Sequence, residues 1–286
     1  MLGEYVVLKA GPSLLLTTYP CFTAKQISKP ELKNIHPDSP AGQFWQTNAN
    51  NQFGLEFDDP FNGLGGLGAS SAQFLGAYMA QQHFLGKATS LTSMLEAYYN
   101  YAWDGQGIKP SGYDVLAQAS TTCVYINQSK EKLVNYDWPF EDIDFVLIHT
   151  GKKLATHHHL QALTLDNQLD DLHDITEQGV DAFCHRDSAL FIDSVNEYRS
   201  ALYSLKLVAN HTIDMTDELL QWPEVMAAKG CGAMGADVIL LLTSKTTRLQ
   251  LCEKLAQKKV HILATPDELY RGHALIENNM HKTLEI

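Results

Sequence analysis

The stretch NGLGGLGASSAQF, residues 62–74, sets Gly63, Gly65, Gly66 and Gly68 ahead of Ala69, Ser70 and Ser71, then runs into an apolar helical pattern. A helix N-terminus reached through glycines exposes unpaired backbone N–H groups and the positive end of the helix dipole. The chemistry it invites is anion binding, phosphate above all. Gly63, Gly65 and Gly68 also satisfy G-x-G-x-x-G, the spacing of a dinucleotide-binding turn. Against that, the preceding EFDDPFN is polar and turn-like, and GKATSLTS offers no acid about 20 positions on to take a ribose. A Walker A loop ends in Gly-Lys-Ser/Thr, whereas Gly68-Ala69-Ser70 has no lysine to neutralise the β and γ phosphates. A plain turn between two elements remains the alternative.

Other residues could carry chemistry. Asp114 lies between a Ser-Gly turn and the apolar VLA of KPSGYDVLAQ, where the residues alone favour a helix cap. His157, His158 and His159 invite a metal, but consecutive helical residues point in different directions and no carboxylate is spaced to join them. The five cysteines are widely spaced and never form C-x-x-C, so neither a disulfide framework nor a zinc ribbon is expected, and a reducing cytoplasm is the expected home. Cys231 reads as a small buried residue rather than a nucleophile. A formal charge of -12 argues against nonspecific nucleic-acid or anionic-membrane binding, so an anionic ligand must find local lysines such as Lys109, Lys152 and Lys153. No apolar run reaches membrane-spanning length and no export leader is evident.

These residues need elements to position them. At 286 residues and 45% hydrophobic content the chain can form one large domain or two ordinary ones. EYVVL, KAGP and SLLLTT read as a β-hairpin around a Gly-Pro turn. Residues 70–85 and 90–103 have helical spacing and are expected to pack on that sheet. FVLIHTG reads as a buried strand, followed by long amphipathic segments over 160–178 and 181–208; the change of rhythm places a domain boundary near Glu141. DELLQWPEVMAA then reads as helix, KGCGAMGA as a glycine turn, DVILLLTS as strand, TTRLQLCEKLAQKK as helix and VHILAT as strand.

Four segments taken together, LGEYVVLKAGPSLLL, the Gly/Ser loop, KPSGYDVLAQ and AAKGCGAMGADVILLL, resemble in this order the signature segments of the GHMP small-molecule kinases. That family is named for galactokinase, homoserine kinase, mevalonate kinase and phosphomevalonate kinase. SGYDV and the aspartate of KGCGAMGADV are most similar to the phosphomevalonate kinase branch, and the proline of KPSGYD to mevalonate kinase; HTGKKLAT, with Thr150, Gly151 and Thr156, resembles a segment of both. The resemblance implies an α+β, two-domain fold: an N-terminal domain over 1–140 with a left-handed βαβ unit, and a ferredoxin-like domain over 141–286. It implies ATP and Mg²⁺ as cofactors and phosphomevalonate as acceptor. Mevalonate, or a noncatalytic binding protein of the same fold, is the alternative. Partners would be small molecules, with neither nucleic acid nor membrane, and homodimer formation is left open.

Residue by residue, the resemblance implies that Gly63, Gly65, Gly66, Gly68, Ala69, Ser70 and Ser71 bind ATP, with Ser70 on Mg²⁺ and Ser71 as the fallback. Asp114 would be the acid that takes or orients the acceptor's hydroxyl proton, and Asp104, or else Glu96, the second metal ligand. Glu4, Tyr5, Lys109, Ser111, Gly112, Gly232, Ala233 and Gly235 would face the acceptor. The sequence departs from the family pattern in three places. Its loop is longer. Met234 stands where glycine is usual, which matters if that position needs φ > 0. Met1 falls after the position of the family's Pro-Gly-Lys, leading to the expectation of a truncated or late start without a substrate-side lysine.

Overall fold

The computed structural model describes residues 1–48, 53–152 and 169–272 and the backbone of 283–285. In chain order the strands are β1 (Pro12–Leu16), β2 (Thr23–Ile27), β3 (Leu32–Lys33), β4 (Gly54–Asp58), β5 (Cys123–Asn127), β6 (Lys132–Tyr136), β7 (Ile143–His149), β8 (Ala227–Cys231), β9 (Val238–Ser244), β10 (His261–Ala264) and β11 (Thr283–Glu285). The helices are α1 (Pro40–Asn48), α2 (Ala69–Leu85), α3 (Leu91–Ala102), α4 (Tyr113–Gln118), α5 (Asp170–His185), α6 (Ser188–Ser204), α7 (Asn210–Leu219) and α8 (Arg248–Gln257). The architecture is α+β. One compact unit takes in Met1–Leu16, Leu64–Gly66 and Thr122–Leu269, the other Thr17–Gly63, Leu67–Thr121 and Tyr270–Ile286.

The first unit holds two antiparallel sheets, ordered β1-β5-β6 and β10-β7-β9-β8. The second is built on β7 and β9, whose near-continuous apolar runs are expected of strands covered on both faces. Period-two alternation divides their side chains between two cores. Phe145, Leu240 and Leu242 join Phe183, Phe191 and Tyr198 of α5 and α6, whereas Val146, Ile148, Ile239 and Leu241 join Leu219 of α7 and Leu251 and Leu255 of α8.

In the other unit the sheet order is β11-β2-β4-β3, with only β3 and β4 parallel. α2 lies against α1, α4 and this sheet. It is buried almost continuously from Ser71 to Gln81, as a helix apolar on all sides requires. Its core is aromatic, Phe74 meeting Phe44 at 5.4 Å and Tyr98 at 5.2 Å between ring centres.

Several local expectations need correction. Val6–Lys9 is a 3₁₀ turn rather than the first arm of a hairpin, bracketed by Tyr5 (φ 68) and Ala10 (φ 57), and what remains of the pairing is one bridge between Leu2 and Leu14. α3 rests on α1, α2 and α4, and α2 on the β2–β4 sheet, in place of the expected packing of both on the sheet of the first strand. The polar residues before the glycine loop include β4, which ends at Asp58 before the turn begins. The amphipathic run over 181–208 breaks at Arg186 (φ 61), after which Asp187 caps α6 by accepting from the Leu190 N–H at 3.0 Å. The helix expected over DELLQWPEVMAA ends at Leu219, because Pro223 cannot continue it. AAKGC pairs with β9 as a strand. Residues 160–168 and His157, His158 and His159 lie outside the described residues, as do Lys153 and Thr156.

Candidate active site

The end of the glycine loop and Asp114 belong to the same unit. Asp59 opens the loop: its carboxylate accepts from the N–H of Phe61 at 2.8 Å and of Gly63 at 2.9 Å, a turn that Asx residues favour. Gly68 is the N-cap of α2, with φ 79 and no side-chain cap, so the first-turn amides of α2 have no capping side chain as acceptor. Such an end fits an anion. Ser70 is exposed and Ser71 is buried. The Ser71 side chain hydrogen-bonds the Tyr98 hydroxyl, which leaves Ser70 as the serine open to a ligand.

Asp114 sits in the first turn of α4, whose N-cap is Gly112 with φ 74 and no side-chain capping bond. It is therefore not the cap that the residues alone suggested. Its surface is open to solvent. Protein atoms nevertheless crowd around it, and this desolvation raises its carboxyl above the ordinary aspartate value. Burial, and next the charge of Asp114, raises the Tyr98 phenol. Tyr98 thus bonds Ser71 and feels the charge of Asp114. Sequence reasoning passed over it because a tyrosine on an aromatic-rich helix reads as core.

Of the candidate metal acids, Glu96 is an exposed residue of α3 whose charge raises the phenol of Tyr78, after burial as the larger cause. Asp104 lies beyond the helix and accepts from the Gln106 N–H at 2.9 Å. Among the described residues no group of three His, Cys, Asp or Glu side chains could hold a metal. A Mg²⁺ held by one hydroxyl, one carboxylate and phosphate oxygens is compatible with that donor set. Lys109 is exposed, its ammonium 3.5 Å from the centre of the Tyr99 ring, and the Tyr99 hydroxyl donates to the Ser111 carbonyl at 2.8 Å.

The other unit brings Glu4 and Tyr5 to the second glycine turn, which contains Gly232, Ala233 and Gly235. The Tyr5 hydroxyl donates to the Leu207 carbonyl at 3.3 Å and accepts from the Met234 N–H at 2.8 Å. Glu4 accepts from the Lys229 ammonium at 2.6 Å, and Lys229, fully buried on β8, also donates to the Gly230 carbonyl at 2.8 Å. Met234 has φ 59, the left-handed conformation in which glycine is at ease, and its neighbours Ala209 and Ala236 hold its side chain. Asp237 follows the turn. A Cβ at Gly66 would lie 2.6 Å from that of Asp237, so only glycine permits this approach. The Thr150 N–H donates to the Asp237 carbonyl at 2.8 Å. Lys152 is exposed just beyond Gly151.

Together these features define a mixed α+β protein with an anion-ready helix N-terminus and, in the same unit, a carboxylate that caps no helix. No sequence model of a protein family matches the chain, and no curated protein does. Solved structures do match. Streptococcus pneumoniae phosphomevalonate kinase in complex with phosphomevalonate and AMPPNP is 14% identical over 92% of this chain and 95% of its own, with a TM-score of 0.72. Methanococcus jannaschii mevalonate kinase is 13% identical over 94% and 95%, with a TM-score of 0.67. Lactococcus lactis galactokinase complexed with galactose is 11% identical over 95% and 91%, with a TM-score of 0.73. The chain therefore has the fold of the GHMP small-molecule kinases.

Proposed function

We propose that the chain is an ATP- and Mg²⁺-dependent kinase that phosphorylates phosphomevalonate. The observation that carries this reading is Asp114: a carboxylate not spent on capping, in the same unit as the uncapped N-terminus of α2, on a fold that phosphomevalonate kinase also uses. MgATP, when bound, supplies the phosphoryl group together with a cation that offsets its charge. The backbone from Gly65 to Ala69 and the first turn of α2 hold phosphate oxygens, Ser70 and Asp104 are the metal's protein ligands, and Asp114 accepts the proton of the acceptor hydroxyl at a carboxylate oxygen. Glu4, Tyr5, Ser111, Gly112 and the turn from Gly232 to Gly235 face the acceptor, while Lys109 and Lys152 meet its phosphate.

ADP release measured with mevalonate, phosphomevalonate, galactose and homoserine tests the acceptor. Phosphomevalonate should give the highest kcat/KM; turnover of mevalonate alone moves the chain to the sister acceptor, and no ADP with any of them favours a binding protein. MgATP at a hundredfold excess over Kd should stabilise the fold by about 2.7 kcal/mol, seen as a raised melting temperature that NAD does not reproduce. Lys109→Ala and Lys152→Ala should each raise KM for phosphomevalonate by roughly tenfold, the scale of a charge-assisted contact of about 1.5 kcal/mol, with KM for ATP little changed. Equal changes in both KM values refute that assignment.

A further inference from the structure

We infer that Gln118 is a positioning residue that ties the end of the glycine loop to the helix carrying Asp114. Its Nε2 donates to the Gly68 carbonyl at 3.0 Å. A Cβ at residue 68 would stand 2.6 Å from that nitrogen, so glycine is what allows the amide to close on the backbone. The same carbonyl accepts from the Ala72 N–H at 2.9 Å, the first helical bond of α2. Gln118 ends α4 four residues after Asp114, one turn away on the same helix side. One side-chain amide thus connects the start of α2 to the helix of the carboxylate, at an N-terminus that no side chain caps.

The orientation of the amide is settled by this bond. The Gly68 oxygen needs the NH₂, which leaves Gln118 Oε1 buried with no hydrogen-bond partner. A buried acceptor without a partner lowers stability, so an apolar side chain would serve the fold at least as well. What glutamine adds is the hold on Gly68. Its consequence for turnover rests on the proposed phosphoryl transfer: with the loop end tied to α4, the phosphate-holding amides keep a fixed distance from Asp114.

Gln118→Leu keeps most of the volume and Gln118→Met most of the length, and each removes both the donor and the orphaned acceptor without adding a charge. In the protein without ligand, the Ala72 amide, which donates to the Gly68 carbonyl, should exchange with solvent about fivefold faster in both variants, the effect of one lost net hydrogen bond. Gln118→Leu should melt no lower than the parent. KM for ATP should rise about fivefold in both, with KM for the acceptor within about twofold. Unchanged exchange at Ala72 in both variants overturns the inference, as does faster exchange spread over the whole chain with a lowered melting temperature, the mark of a merely structural role. Absence of phosphotransfer in the parent defeats the proposed function instead, and the exchange measurement alone then decides whether Gln118 holds the loop.

Discussion

Asp114→Asn should lower kcat by about 10²- to 10⁴-fold while leaving MgATP binding and folding intact, the usual scale for removal of a general base. Asparagine is nearly isosteric with aspartate, so packing at the start of α4 survives. Were Asp114 a structural residue of the first turn, the exchange would cost little activity, and retention of more than about a tenth of the parent kcat rules out the catalytic role. Stability separates the readings a second time. Desolvation raises the folded-state carboxyl above its ordinary value, so the folded chain holds that proton more tightly than the unfolded chain does. The contribution favours folding below the unfolded value, then turns into a cost as pH rises through the folded one. Asparagine carries no such cost, and at pH 7 the variant should melt at or above the parent temperature.

The same direction fixes the pH profile. A base must be ionised in the free enzyme, so the acid limb of kcat/KM should lie above the ordinary aspartate range. A limb at the ordinary value would assign the proton to another group. In Asp114→Asn the residual activity should lose that limb.

Much of the fold is legible where local pattern and tertiary role agree. α2 and α3 follow their apolar spacing nearly to the residue, and Ser90 caps α3 by accepting from the Ser93 N–H at 3.1 Å. β7, β9 and β10 declare themselves by apolar runs. The failures fall where distant residues decide. EYVVL is a sound strand by composition, but Tyr5 is turned to φ 68 while its hydroxyl reaches Leu207 and Met234, more than 200 positions away in sequence. AAKGC lacks the branched residues of a typical strand and owes its conformation to pairing with β9. The proline in QWPEV and the aspartate before SALF were legible signals, outweighed by apolar periodicity that ran past them. In the candidate site, the glycines, Asp114 and the GEY segment stand out in the sequence. Tyr98 and Gln118 do not, because a tyrosine among aromatics and a glutamine ending a helix are ordinary, and their significance lies in contacts with Ser71 and Gly68. The left-handed Met234 fulfils the condition that its sequence context raised: the position takes a positive φ, and the bonds at its N–H and carbonyl hold a non-glycine residue there.

Lys229→Met should destabilise the fold by about 3–5 kcal/mol, the cost of leaving one member of a buried ion pair without its partner. Lysine in a strand is expected to reach solvent, yet this ammonium is fully buried, bonded to Glu4 at 2.6 Å and 5.3 Å from the centre of the Tyr198 ring. Methionine keeps the length of the apolar stem but offers no proton, so Glu4 would keep its charge with one Oε already unpartnered and the other newly so. The Tyr198 hydroxyl donates to the Glu4 carbonyl at 2.7 Å, so the backbone of Glu4 stays in place and the carboxylate cannot readily escape to water. Glu4→Gln should cost less than Lys229→Met, since an amide oxygen still accepts from the ammonium. The double variant Glu4→Gln/Lys229→Met should cost less than the sum of its parts, because neutral glutamine needs no counter-charge; urea unfolding of the four proteins measures that coupling. Loss of less than about 1 kcal/mol in Lys229→Met, the scale of an exposed pair, would mean that the ammonium is hydrated and the pair is not the buried tie described. Because β8 leads directly into the turn over 232–235, and Tyr5 beside Glu4 holds the Met234 N–H, loosening this pair should also raise exchange at the amides of 232–235 ahead of the surrounding sheet.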